Sequence, residues 1–173
     1  MINEVKSIFD NVNNWLKFAE AKNGAIIALN ATFIFGILKL GLISNKSIVI
    51  INYYLYLCIF MLLVSSIVAL LSFVPQLKFI YIKFKKISDR DNLLYFGDIA
   101  KYTPTQYSDS LKKILEVDSK NNKLYEHYIN QIVINSKITW IKFKQFDIAI
   151  WFTISAILTP IGGYILHSIQ IKS

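Results

Sequence analysis

The sequence predicts an all-α membrane protein with three transmembrane helices and a helical cytosolic region between spans two and three. Two observations support this fold class. Residues 48–74 form a run of 27 residues without a charged side chain, whereas about 20 helical residues suffice to cross a hydrocarbon core of ~30 Å. Hydrophobic residues make up 54% of the 173-residue chain, above the share of about 45–50% that is usual in soluble domains.

Five segments follow from the distribution of charged and apolar residues. They are an N-terminal amphipathic helix (1–23), a first transmembrane helix (24–44), a second (48–74), a cytosolic helical region (76–147) and a third transmembrane helix (148–166). A tight turn is predicted at Asn45–Ser47, which makes the first two spans antiparallel.

The N-terminal segment allows two interpretations. Its apolar residues recur every three to four positions, which is typical of a helix with one apolar face. That face packs either on the protein's own cytosolic part or in the headgroup plane of the membrane, with Trp15 at the interface. No proline separates this segment from the first span, so one continuous helix is compatible with the sequence.

Basic residues predict the orientation of the spans. Residues 76–147 hold 13 of the 19 lysines and arginines, and basic flanks of spans stay on the cytoplasmic side. We therefore place the N-terminus and residues 76–147 inside, and the 45–47 turn and the C-terminal tail outside. The predicted location is the inner (plasma) membrane, with several passes.

The cytosolic region carries clear helix signals. Lys78–Arg90 is expected to prolong the second span as a basic helix. Thr103, Pro104 and Gln106 predict a helix start, with an N-cap, a proline at the first position and a glutamine three residues after the cap; this helix is expected to reach Val117. A long helix is predicted over residues 123–146, with a mixed stripe of Leu124, Tyr128, Gln131, Asn135, Ile138 and Lys142.

The composition argues against catalysis, metal binding and nucleic-acid binding. His127 and His167 are the only histidines and Cys58 is the only cysteine, and no metal-ligand spacing, Gly-rich phosphate loop or nucleophile elbow occurs. The net charge of +8 lies mainly beside the span ends, as membrane orientation requires. We expect no enzyme activity, no cofactor, no metal and no nucleic-acid partner.

Three stretches together resemble a known family: WLKFAEAKNGAIIALN (Trp15–Asn30), LLYFGDIAKYTPTQY (Leu93–Tyr107) and YINQIVINSKITWIKFKQFDIAIWF (Tyr128–Phe152). They resemble the transmembrane effectors of Pycsar anti-phage defence. The resemblance implies that a neighbouring pyrimidine cyclase makes cyclic CMP or cyclic UMP during infection. It also implies that the effector responds by damaging the inner membrane, which ends in abortive infection.

Seven residues of the cytosolic region are the candidate ligand-binding residues. A cyclic nucleotide needs a cation for its phosphate and flat or hydrogen-bonding groups for its base. The candidates of these types are Tyr95, Asp98, Lys101, Tyr107, Gln131, Asn135 and Lys137. The alternative is structural, because tyrosines pack small helical domains and lysines near a bilayer meet lipid phosphates.

Polar residues near and inside the first span are the remaining candidates. Glu20, Lys22 and Asn23 are predicted to form a latch at the membrane entry, with Asp98 or Lys137 as partner, or else to serve interface solvation alone. Asn30 is the deepest polar residue of the first span. It is either structural glue or part of a pore- or oligomer-lining surface.

The resemblance therefore implies an anti-phage effector that senses cyclic CMP or cyclic UMP and disrupts the inner membrane. A lone three-helix unit offers little room for a pore, so we expect a homo-oligomer in the lipid bilayer. The alternative is a constitutive small membrane scaffold or adaptor that binds a protein partner through its cytosolic helices.

Overall fold

In a computed structural model, residues 2–39, 49–74, 84, 86–115 and 123–172 are described. These residues form five helices and no strand: α1 (Ile2–Lys39), α2 (Val49–Leu71), α3 (Phe96–Ile99), α4 (Pro104–Leu115) and α5 (Lys123–Lys172). The turn predicted at Asn45–Ser47 lies outside the described residues. The helix bounds show that α1 contains both the N-terminal amphipathic segment and the start of the first span.

The chain divides into two compact units. Unit 1 comprises residues 1–20 and 75–143, and unit 2 comprises residues 21–74 and 144–173. Helices α1 and α5 each contribute one part to unit 1 and another part to unit 2.

Unit 2 contains the apolar parts of three helices. The helices α1, α2 and α5 are long and apolar enough to cross a membrane, with α2 the most apolar at a mean hydropathy of 2.5. Small buried residues such as Ala69, Ala149 and Ala156 let the helix backbones approach closely. Large apolar side chains point outward instead, including Phe60 and Trp151. This arrangement confirms the predicted all-α membrane fold.

Unit 1 has a separate hydrophobic core. Val5, Ile8 and Val12 of α1 are buried there, against Leu111 of α4 and against the start of α5. The α5 residues of this core are Tyr125, Ile129, Ile132 and Val133. The apolar face of the N-terminal segment therefore packs on protein, in agreement with the first of its two interpretations.

Helix α4 begins as the sequence predicts. The backbone N–H of Thr103 donates to Gln106 Oε1 over 3.0 Å, and the backbone N–H of Gln106 donates to Thr103 Oγ1 over 3.3 Å. This reciprocal pair satisfies two donors that the first helical turn leaves without intrahelical partners. The described part of α4 ends at Leu115, and the predicted end at Val117 lies beyond it.

The basic helix predicted over Lys78–Arg90 is wrong for the residues of that range that the structure describes. Residues 84 and 86–88 have no regular structure, and residues 89–90 form a turn. The backbone N–H of Ser88 donates to Asp91 Oδ2 over 3.0 Å, and that of Asp91 donates to Ser88 O over 3.0 Å. Such local bonds compete with helix formation, which explains the break.

The mixed stripe predicted on the first part of α5 lies on one helix, and its residues differ in burial. Lys142 is buried, whereas Leu124 and Gln131 are exposed. The buried face of this part of α5 contains Tyr125 and Ile129, which directly follow the stripe residues Leu124 and Tyr128.

Tyr107 supplies a direct test of the unit 1 core. Its side chain is fully buried, and its hydroxyl donates to Leu93 O over 2.8 Å. We expect Tyr107→Phe to lower the free energy of unfolding by about 1 kcal/mol, since the buried carbonyl loses its partner. Tyr107→Ala should cost about 3–5 kcal/mol through the cavity it leaves. Thermal unfolding of the purified chain in detergent measures both.

Tyr95→Phe is the matched control, because the Tyr95 side chain is 45% exposed. It should unfold at the temperature of the unsubstituted chain. Equal stability of Tyr107→Phe and Tyr95→Phe would contradict the proposed role of the hydroxyl.

Candidate functional site

A polar cluster lies among the three apolar helices of unit 2, with Asn30 at its centre. Asn30 Nδ2 donates to Ser65 Oγ over 2.9 Å and to Ser66 Oγ over 3.2 Å. Thr153 Oγ1 donates to Asn30 Oδ1 over 2.9 Å. Asn30, Ser65 and Thr153 are buried. One side chain of α1 therefore connects α1 with α2 and α5.

Backbone carbonyl groups complete this polar cluster. Ser65 Oγ donates to Ala149 O over 2.8 Å, and Ser66 Oγ donates to Leu62 O over 2.8 Å. An unsatisfied polar group in hydrocarbon costs several kcal/mol, so complete pairing matters more here than in water. The side chain of Asn30 faces the interior of one chain's bundle. This position favours a structural role, in which Asn30 joins the helices, over a pore- or oligomer-lining role.

A charged triad in unit 1 contains two of the predicted ligand residues. Lys101 Nζ lies 2.6 Å from Asp98 Oδ1 and 2.7 Å from Asp91 Oδ1. The side chains of Lys101 and Asp91 are 14% and 5% exposed. The second carboxylate oxygens accept backbone N–H groups, Asp98 from Asn92 and Asp91 from Ser88, each over 3.0 Å. The triad thus fixes the loop before α3 to the turn after it.

The pairing shifts the pKa values of Asp91 and Lys101 in opposite directions. Burial alone would raise the pKa of the Asp91 carboxyl, but the hydrogen bonds from Lys101 and Ser88 outweigh it and hold this pKa below its usual value. The hydrogen bonds to Asp91 and Asp98 raise the pKa of the Lys101 ammonium. Both shifts favour the charged forms, so the triad is an ion cluster at neutral pH.

The two predicted tyrosines lie in different environments. Tyr95 precedes α3, is half exposed, and its ring packs against Phe96 at 4.7 Å between centroids. Tyr107 belongs to the core of unit 1, and burial raises the pKa of its hydroxyl. Tyr107 therefore has no surface to offer a ligand in this structure.

The three predicted ligand residues of α5 are not brought to the triad. Gln131 is exposed. Asn135 Nδ2 donates to Asn13 Oδ1 of α1 over 2.8 Å. Lys137 Nζ lies 5.7 Å from the centre of the Phe84 ring, a cation–π contact.

The predicted latch residues have contacts of their own. Glu20 Oε1 lies 3.1 Å from Nζ of Lys142, a lysine that sequence reasoning did not single out as a partner. Lys22 Nζ lies 4.8 Å from the centre of the Phe146 ring, and Asn23 is fully buried. The ion pair thus joins α1 to α5, whereas Asp98 pairs within the triad.

A cavity of about 760 Å³ lies in unit 1, a volume within the range of small-molecule sites. Its lining comes from the start of α1, the loop before α3, and α4: Asn3, Glu4, Ser7, Ile8, Asp91, Asn92, Leu93, Leu94, Leu111 and Ile114. Asp91 belongs both to this lining and to the triad. The cavity could not be predicted from the sequence, because Asn3 and Ser7 look like ordinary residues of a solvated helix face.

The chemistry of this lining suits a planar, largely apolar ring with a few hydrogen-bonding groups. The lining combines leucine and isoleucine side chains with two amides, one hydroxyl and the carboxylates of Glu4 and Asp91. The described part of the chain holds no group of three His, Cys, Asp or Glu residues that could bind a metal ion.

The Asn30 cluster predicts a specific loss of stability. We expect Asn30→Leu to lower the free energy of unfolding by about 1–2 kcal/mol, because Ser65, Ser66 and Thr153 lose a common partner. Thr32→Val is the matched control, since Thr32 is exposed on the same helix and its hydroxyl bonds only to its own helix, at Ala28 O. Thermal unfolding in detergent compares the two. An Asn30→Leu variant as stable as Thr32→Val would contradict the role of the cluster.

The triad predicts an acid-sensitive contribution to stability. Because the pKa of Asp91 is lower in the folded state than its unfolded value of about 3.9, its contribution is complete above that value and is lost as the pH falls through the folded pKa. Asp91→Asn should therefore make the unfolding temperature depend less on pH in the acid range. Unfolding temperatures across the acid range measure this.

Asp109→Asn, at an exposed carboxylate of α4, is the control and should keep the original profile. On the alkaline side, the contribution of Lys101 should persist to a pH above its unfolded pKa of about 10.4, since its folded pKa is raised. An Asp91→Asn profile that parallels the unsubstituted chain in acid would refute the assignment.

Comparison with known proteins adds one finding that covers almost the whole chain. The family model described as the Pycsar effector protein domain matches residues 4–167. All three stretches that carry the resemblance, residues 15–30, 93–107 and 128–152, lie inside the matched range. Comparisons with curated proteins and with solved structures gave no significant match.

Proposed function

Because this chain belongs to the Pycsar effector family, we propose that it senses a cyclic pyrimidine nucleotide and then disrupts the inner membrane. Its family makes it an effector of anti-phage defence, and its three apolar helices make it a multi-pass membrane protein. The proposal adds a cyclic pyrimidine nucleotide as the signal and the inner membrane as the target. Its consequence is the death or growth arrest of the infected cell.

The observation that carries the proposal is the closed polar cluster around Asn30. In the described bundle, Asn30, Ser65 and Thr153 bond to one another and to backbone carbonyls. A bundle in this state offers ions no polar path of its own, so damage requires a rearranged bundle or several copies. We propose that the described state is the resting one and that the active state is a homo-oligomer.

Unit 1 supplies the proposed sensor, where the cavity and the triad share Asp91. The cavity volume of about 760 Å³ and its leucine and isoleucine lining support a pyrimidine ring as the occupant, and the amides of Asn3 and Asn92 are available to bond to it. The phosphate, an anion, competes with the carboxylates of Asp91 and Asp98 for the ammonium of Lys101. A switch must bind its ligand more tightly in the active state, and release of Asp91 supplies such a difference.

The orientation of the spans completes the proposal. The 13 of 19 basic residues in 76–147 support a cytoplasmic location of unit 1, where a cyclase product would accumulate. The ion pair between Glu20 and Lys142 then acts as the membrane-entry latch, because it joins α1 to α5 beside the start of their apolar parts. The effector itself catalyses no reaction in this scheme.

The membrane potential of cells that express the protein tests this function. We expect rapid depolarisation when cyclic CMP or cyclic UMP is supplied, and none without nucleotide. The Lys101→Met variant should insert into the membrane normally. Cells that express it should stay polarised when nucleotide is supplied, because the phosphate of the nucleotide loses its cation. A potential-sensitive dye measures the response, and membrane fractionation verifies insertion.

Lys113→Met is the matched control, since Lys113 is an exposed lysine of α4. It should depolarise like the unsubstituted chain. An unchanged potential with either nucleotide, in cells whose membranes contain the protein, would overturn the sensing proposal and favour the constitutive scaffold. A normal response of Lys101→Met would remove the triad from the sensor.

A further inference from the structure

The charges on the lining of the unit 1 cavity are all negative. Of the described residues that line it, Glu4 and Asp91 are acidic, and none is a lysine or an arginine. Asp91 bonds to Lys101 of the triad, with 2.7 Å between Oδ1 and Nζ, whereas Glu4 is an exposed residue of α1. The cavity therefore has one carboxylate beside a cation and a second carboxylate on another element.

This distribution of charge orients a nucleotide that binds there. The phosphate is an anion, so the ammonium of Lys101 attracts it and the carboxylate of Glu4 repels it. The base carries no net charge and is not repelled in this way. A nucleotide whose phosphate binds at Lys101 therefore directs its base toward the start of α1, which contributes Asn3, Glu4 and Ser7 to the lining.

The carboxylate of Glu4 can bond only to groups that donate a hydrogen bond. A glutamate side chain is ionised at neutral pH, and its two oxygens then offer about four acceptor sites and no donor. A hydrogen bond to an ionised acceptor is roughly twice as strong as one between neutral groups. A carbonyl oxygen placed against the same carboxylate gains no bond and is repelled.

Asn92 supplies the complementary donor. Its Oδ1 accepts the backbone N–H of Leu94 over 2.9 Å, and its own backbone N–H donates to Asp98 Oδ2 over 3.0 Å. Because a backbone N–H can only donate, the first of these bonds identifies which atom of the amide is the oxygen. The Nδ2 group is thus the part of this amide that can bond to a base, and it only donates.

Cytosine matches an acceptor and a donor placed in this way. Its edge carries the amino group N4–H₂, a donor, next to the acceptors N3 and O2. One amino hydrogen points away from these ring acceptors and can reach a carboxylate without opposing charge beside it. The acceptors N3 and O2 then remain for Nδ2 of Asn92.

Uracil matches the same two groups less well. It has the carbonyl oxygen O4 in place of the amino group, and its one edge donor, N3–H, lies between O4 and O2. A carboxylate that approaches N3–H therefore meets two carbonyl oxygens whose partial negative charges oppose it. In protein–DNA complexes, too, Glu and Asp side chains pair with N4 of cytosine.

We propose that Glu4 is the base-reading residue of the cavity and that it selects cytosine, which makes cyclic CMP the preferred signal over cyclic UMP. This inference rests on the proposed function, because it names the ligand of the same site. Asn3 adds to the affinity for either base but does not select between them, since its amide both donates and accepts.

Isothermal titration calorimetry on the full chain in lipid nanodiscs tests the selection. We expect cyclic CMP to bind at least about tenfold more tightly than cyclic UMP, since a correct side chain–base pairing discriminates by about this factor. Glu4→Gln should bring the ratio of the two dissociation constants close to one. The glutamine amide accepts from N4 of cytosine and donates to O4 of uracil equally well.

The ratio of dissociation constants separates base reading from a structural role of Glu4. An acidic residue in the first turn also stabilises a helix through its macrodipole, and Glu4 is in the first turn of α1. Loss of that contribution would weaken the binding of both nucleotides alike and leave the ratio unchanged. Asp10→Asn is the matched control, because Asp10 is exposed on the same helix and is not part of the lining. It should leave both dissociation constants unchanged.

Three results would overturn the proposal. Equal affinities, or tighter binding of cyclic UMP, would reject the selection of cytosine and leave nucleotide sensing intact. A preference for cyclic CMP that persists in Glu4→Gln would remove Glu4 as the base-reading residue. Binding of neither nucleotide would reject the sensing proposal itself and this inference with it, so the two failures are distinguishable.

Discussion

The hydrogen bonds of Asn30 are the constraint on which the membrane unit depends. An amide in an apolar bundle must find every partner inside the bundle, because hydrocarbon offers none. Asn30 finds them on two other helices at once, at Ser65 and Ser66 of α2 and at Thr153 of α5. Apolar contacts alone leave helices free to slide past one another, whereas this cluster fixes their relative depth and rotation.

Unit 1 is organised by a different principle. Its core contains apolar side chains from α1, α4 and α5 and Ile99 of the short α3, and ion pairs add a second set of contacts around α3. Lys101 connects Asp91 before that helix with Asp98 inside it, so a single ammonium determines the shape of this loop. The proposed sensing depends on this arrangement, because an anion can compete for an ammonium but not for an apolar contact.

Local signals made much of the fold predictable. Uncharged runs predicted the spans, and the Thr103–Gln106 pair predicted the start of α4, because each depends on residues close together in sequence. The ion-pair partners within the candidate site were harder to predict from the sequence. Glu20 pairs with Lys142 and not with Asp98 or Lys137, and Asp91 of the triad was not singled out at all. Such pairs depend on how distant helices pack, which sequence periodicity does not encode.

The single cysteine has a practical consequence for work on assembly. Cys58 is 3% exposed in an apolar cluster of α2, between Leu55 and Leu62. A water-soluble maleimide reaches such a thiol poorly, so the natural chain serves as its own blank in labelling experiments. A cysteine introduced on an outer face of the bundle would then be the most reactive thiol of the chain. Cross-linking through it would identify neighbouring copies, and Cys58 would not have to be replaced first.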